Sequence, residues 1–100
     1  MKAKIVLLVI IATAALTLQA SASDRFQIVV HDNNGNNVYN AFVEVWDGGN
    51  RVDSGYSDNS GAFYTWLERS IRYRITANSN GQNGDWQGFP ENNEIHIYMN

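Results

Sequence analysis

Between Phe26 and Ala77, apolar residues recur at every second position, and clusters of Asn, Asp and Gly interrupt them at near-regular intervals. Period two places alternate side chains on opposite faces of a pleated strand, so one face of each run is buried. Punctuation by turn residues divides the chain into several short strands, which pack as a sandwich or barrel. The reading is Arg25–His31 with Phe26, Ile28 and Val30 inward, then Asn40–Trp46 with Ala41, Val43 and Val45 inward. A more polar edge strand follows at Arg51–Tyr56, then Ala62–Leu67 with Phe63, Thr65 and Leu67 inward. Ile71–Ala77 carries Ile71, Tyr73, Ile75 and Ala77 inward, and Glu94–Met99 carries Ile95, Ile97 and Met99 inward. The turns between them include Asp32–Asn36, Asp47–Asn50 and Asp58–Gly61, whose Gly and Asn tolerate positive φ. Residues 78–93 form a stretch too long for an ordinary loop. It is either a functional loop or hides a seventh strand around Asp85–Phe89. With that strand counted, the expected fold is all-β, a sandwich or barrel of seven short strands.

The first 22 residues read as an address rather than as structure. Lys2 and Lys4 precede the uncharged run Ile5–Leu18, and Ala20-Ser21-Ala22 is a small-x-small cleavage site, making Ser23 the expected mature N-terminus. As a helix the run is about 21 Å long, short of the ~30 Å hydrocarbon core of a bilayer. The chain has no cysteine, which excludes lipid attachment at a cleavage-site Cys, and no Arg-Arg pair precedes the run. The expected organisation is therefore a signal peptide at 1–22 and one β-sandwich domain at 23–100. The protein would be secreted, to a periplasm or to the extracellular space, with no membrane insertion after cleavage.

Both lysines leave with that segment. Five Arg then face ten Asp and Glu, a net charge of −5, which argues against nucleic acid and anionic membrane surfaces as partners. All twelve aromatic residues lie in the part that remains. So short a domain has little core to offer them.

A family resemblance rests on the order of these features. An apolar strand leads into a D-x-x-G turn, then Val38, Asn40-Ala41 and an alternating strand. Ser57-Asp58-Asn59-Ser60-Gly61-x-Phe63, Leu67 and Tyr73-x-Ile75 follow. The pattern resembles the carboxypeptidase regulatory-like domains of the transthyretin-like β-sandwich group, over about Phe26–Met99. It departs from them at Glu68-Arg69-Ser70-Ile71, where a Gly usually follows the Leu, and at Asn37, often Pro. The resemblance implies an all-β fold, a seven-stranded Greek-key β-sandwich, at the surface of the cell or outside it, and it implies no single activity. One enzyme of the wider group, 5-hydroxyisourate hydrolase, has a His early in its first strand and a C-terminal Tyr-Arg-Gly-Ser. Here the strand's His is His31, beside Asp32, and the chain ends Ile97-Tyr98-Met99-Asn100. No catalytic residue carries over.

Few residues suggest chemistry. His31 and His96 lie near strand ends, and a hydrolytic or metal pair would need them to converge with a carboxylate. Ser54, Ser57, Ser60, Ser70 and Ser79 all sit in turn-like contexts. The Asp32 turn could offer oxygens to calcium, alone or with Asp58, but it has one carboxylate where calcium favours several. Arg72 and Arg74, with Arg69 nearby, could hold an anion or could pair with acids such as Glu44 or Glu68. Outward aromatics are the stronger signal: Phe42, Trp46, Tyr64, Trp66 and Tyr98 lie opposite the core face, and Trp86 and Phe89 lie within 78–93. Exposed aromatic patches mark contact surfaces.

The expectation is a non-catalytic binding or assembly module that makes protein–protein contacts, including self-association, through Trp46, Tyr64, Trp66, Trp86 and Phe89. An alternative is a carbohydrate-binding module using the exposed tryptophans. A small hydrolase is disfavoured for want of a nucleophile–base pair. No cofactor is expected, with calcium the one open possibility.

Overall fold

A computed structural model describes residues 23–100. The expected signal peptide falls outside them. The described chain is all-β, with seven strands: β1 Ser23–His31, β2 Phe42–Asp47, β3 Asn50–Tyr56, β4 Ala62–Glu68, β5 Tyr73–Ser79, β6 Gln82–Gly88 and β7 Glu94–Tyr98. They form two sheets, one of three strands in the order β4-β1-β7 and one of four in the order β3-β2-β5-β6. Neighbours are antiparallel except β1 and β7, the first and last strands, which run parallel.

The alternation produces this arrangement directly. Phe26, Ile28 and Val30 of β1, Leu67 of β4 and Ile95 and Ile97 of β7 turn inward from one sheet. Val43 and Val45 of β2 and Tyr73, Ile75 and Ala77 of β5 meet them from the other. Burying a side chain such as Phe26 or Ile75 contributes about 1.5–3 kcal/mol. No disulfide assists them, since the chain has no cysteine. Ser57, buried between β3 and β4, spends its hydroxyl on the backbone: it accepts from Ala41 N–H at 2.9 Å and donates to the Val38 carbonyl at 2.6 Å. Ile71 belongs to a turn before β5 rather than to the strand itself, yet still packs against the core.

The 78–93 stretch contains the seventh strand, and a longer one than its sequence suggested. Asn80 (φ +47°) and Gly81 (φ +83°) form a two-residue turn that pairs Ser79 with Gln82. Two successive positive φ angles suit the right-handed twist of a hairpin.

The two sides of the sandwich differ. Where β6 meets β7, Asn83 and Asn100 exchange backbone hydrogen bonds at 3.2 and 3.0 Å and join the sheets. On the opposite side β3 and β4 remain edges, each paired on one flank only. Strand β3 carries a bulge: Val45 pairs with Asp53 and Trp46 with Arg51, leaving Val52 unopposed.

The joined side depends on a glycine. A Cβ on Gly84 would sit 2.6 Å from Ile97 Cγ2 and 3.1 Å from the Tyr98 carbonyl oxygen. Backbone cannot yield as a side chain can. Gly84→Ala is therefore expected to destabilise the protein by about 1–3 kcal/mol, the range for overpacking, read as a lower midpoint in urea unfolding. An unchanged midpoint would show that the two sheets are not held together there.

Candidate functional site

The outer face of the three-stranded sheet is built by the odd residues of β1 and the even residues of β4 and β7. The inner face consumes their alternates. Register aligns Arg25 with Trp66, Gln27 with Tyr64 and Glu94, Val29 with Ala62 and His96, and His31 with Tyr98. Trp66 is 66% exposed, Tyr64 43% and Tyr98 61%. The Arg25 guanidinium lies 4.3 Å from the Tyr64 ring centroid, a cation–π contact between β1 and β4. Tyr98 stacks on His31 at 4.5 Å.

The two histidines do converge with a carboxylate. His96 Nε2 is 3.0 Å from Glu94 Oε1, and His96 Nδ1 is 2.8 Å from His31 Nε2. With Glu94 accepting from Nε2–H, His96 Nδ1 accepts from His31. The relay ends at His31 Nδ1, which is buried without a hydrogen-bond partner. It reaches no hydroxyl that it could activate. Among the described residues no three His, Asp or Glu side chains gather as metal ligands, so the pair offers two protein ligands at most.

The five aromatics singled out from sequence do not share one face. Tyr64 and Trp66 lie side by side on β4. Trp46 lies on β2, on the outer face of the other sheet. Trp86 is on β6 with its ring half-buried against the core, and Phe89 follows that strand, 53% exposed. Trp86, expected as a contact residue within 78–93, has its ring partly buried against the core, because odd–even alternation along β6 turns it toward the interior. Phe89 lines a small hollow beside β7 with Trp86, Glu94 and His96.

Trp46 occupies a larger hollow, of about 630 Å³, on the four-stranded sheet. Glu44, Arg74, Thr76, Asn78, Asn83 and Asp85 surround it, with Tyr98 and Asn100 at its rim. Arg74 grips Asp85 through two nitrogens (3.0–3.3 Å), which raises the guanidinium's pKa, and Arg51 pairs with Glu44 at 2.9 Å. The basic residues are therefore engaged: Arg74 with Asp85, Arg72 with Gln87 at 3.4 Å, and Arg69 with Asp24 and Asn93. Of these acceptors, Asp85 and Gln87 lie on β6.

The Asp32 turn uses its carboxylate internally. Asp32 Oδ1 accepts from the backbone N–H groups of Asn36 and Asn34, each at 2.9 Å, and these bonds lower its pKa. Asp58 Oδ1 caps its own turn in the same way, accepting from Ser60 and Ala62.

No family model matches the chain, and no curated protein matches it.

The placement of Trp86 makes a prediction. Trp86→Ala is expected to cost about 2 kcal/mol, below the 3–5 typical of a fully buried aromatic because the ring is only half-buried. Urea unfolding measures it. A loss under about 0.5 kcal/mol, within the range of ordinary surface changes, would return Trp86 to the exposed set.

Proposed function

We propose that the protein is a secreted, non-catalytic binding module. In this reading it is a Greek-key sandwich of the carboxypeptidase regulatory-like type that makes protein–protein contacts through the outer face of its three-stranded sheet. The observation that carries it is the exposure of Tyr64 and Trp66, adjacent on one edge strand, on a face whose inner side is fully packed. Large aromatic rings left exposed at a sheet edge contribute little to the core and are favoured anchors of an interface. The relay at His31 and His96 lacks a nucleophile to serve, which supports binding over hydrolysis.

The test is retention. Immobilised protein is incubated with the extracellular or periplasmic fraction of its own cells. A specific protein should be retained by the wild type, and its retention should fall at least tenfold with Tyr64→Ala/Trp66→Ala. Equal retention by both would refute this face as the contact surface.

A second reading rests on the Trp46 hollow. One indole ring, ringed by Asn78, Asn83, Asp85 and Glu44, offers a stacking platform and planar hydrogen-bonding groups. This is the chemistry of a small carbohydrate site. Soluble oligosaccharides should then shift the tryptophan emission of the wild type, and Trp46→Ala should abolish the shift. A screen that moves neither the emission nor the amide spectrum would remove this reading.

A further inference from the structure

We propose that the protein partner of this face is a second copy of the same chain, joined edge to edge through β4. This rests on the protein-contact reading above and adds the identity of the partner.

The backbone shows which groups are free. Strand β4 pairs with β1 alone. Ala62 turns away from β1: its N–H goes to Asp58 Oδ1 and its carbonyl accepts from Asp58 N–H. Glu68 turns away too, its N–H donating to the Tyr73 hydroxyl. In an antiparallel strand, hydrogen-bonding direction alternates residue by residue. Between those two, therefore, Tyr64 and Trp66 point both N–H and C=O along the open edge. Exposed edge groups of this kind are a template for another strand.

The edge is complementary to itself. An antiparallel pairing with Thr65 on the two-fold axis sets Tyr64 opposite Trp66 of the second copy, and Trp66 opposite its Tyr64. Both are edge-directed, so each pair exchanges two backbone hydrogen bonds, four in all. The same register stacks Tyr64 and Trp66 across the junction on the outer face, the favourable cross-strand aromatic pairing. Phe63 falls opposite Leu67 on the inner face. A shift of one residue would set edge-directed groups against inward ones and lose the bonds.

The other flanks are unsuited to this. Strand β3 is blunted by its bulge at Val52, with Arg51 and Asp53 on either side, a common protection against edge pairing. The β6–β7 side is joined through Asn83 and Asn100. By contrast β4 runs from Ala62 to Glu68 with no Pro, no Lys, no bulge, and one charge at its last position. A strand without those safeguards is suited to pairing with a copy of itself.

Sedimentation from about 1 µM to about 1 mM, a range that brackets weak and moderate association, should show twice the monomer mass. Trp66→Lys places a charge on the edge and should return the protein to monomer with its circular dichroism unchanged. The register is read by cross-linking, in a chain that has no other cysteine. Tyr64→Cys mixed with Trp66→Cys should form an oxidised heterodimer. Tyr64→Cys alone should not, because its Cα would lie about 8 Å from its copy, beyond the ~7 Å that a disulfide spans. This arm holds even if Trp66→Lys fails to fold. A monomer at every concentration overturns the proposal, as does a dimer indifferent to Trp66→Lys or one lacking the heterodimer cross-link. If the protein is monomeric while retention still depends on Tyr64 and Trp66, a different protein occupies the face and the binding reading survives. If it is monomeric and retention is indifferent to them, both readings fall.

Discussion

The register of β1 governs the rest of the molecule. It is the central strand of its sheet, and its two sets of residues have separate duties. Phe26, Ile28 and Val30 point inward and hydrogen-bond toward β4. Arg25, Gln27 and His31 point outward, and Gln27 and His31 bond toward the β7 side. A slip by one residue would turn three fully buried side chains into water and bring Arg25 and His31 inside. The outer face exists in its present form because that slip is forbidden: Arg25 reaches Tyr64, and His31 reaches Tyr98, only in this alignment.

Most of the fold was legible because alternation and burial are one fact in a half-buried sheet. Six strands and nearly every inward residue could be read from period two. The seventh was half-seen, because Gln82–Gly88 has polar residues or glycine at every position but Trp86, and so carries no apolar rhythm. The signal that would have fixed it was Asn80-Gly81, the dipeptide of a tight hairpin, whose strands then run outward from the turn on both sides. The candidate site was less legible for a different reason. Outwardness can be read along a strand, but which sheet a strand joins is set by long-range pairing. Trp46 and Trp66 look alike in sequence and lie on opposite faces of the molecule. The convergence of His31 with His96 depends on the parallel pairing of the first and last strands, which no local pattern reports.

Polar groups follow the same economy as the apolar ones. Asp32 and Asp58 each hold their own turn, Ser57 ties the 38–41 segment to the β3–β4 connection, and Arg74 is clamped by Asp85. Among the surfaces these leave open are the aromatic edge of β4 and the hollow around Trp46. Backbone geometry separates them, since one borders the open side of the sandwich and the other lies across the four-stranded face.

The parallel pairing of β1 with β7 also orders events in time. The ribosome delivers β1 first and β7 last, at about 5–20 residues per second. Until the final strand emerges, β1 can gain only one of its two neighbours, and Ile28 and Val30 lack the Ile95 and Ile97 that cover them. The three-stranded sheet therefore cannot close until β7 has left the ribosome, however early β1 and β4 have met.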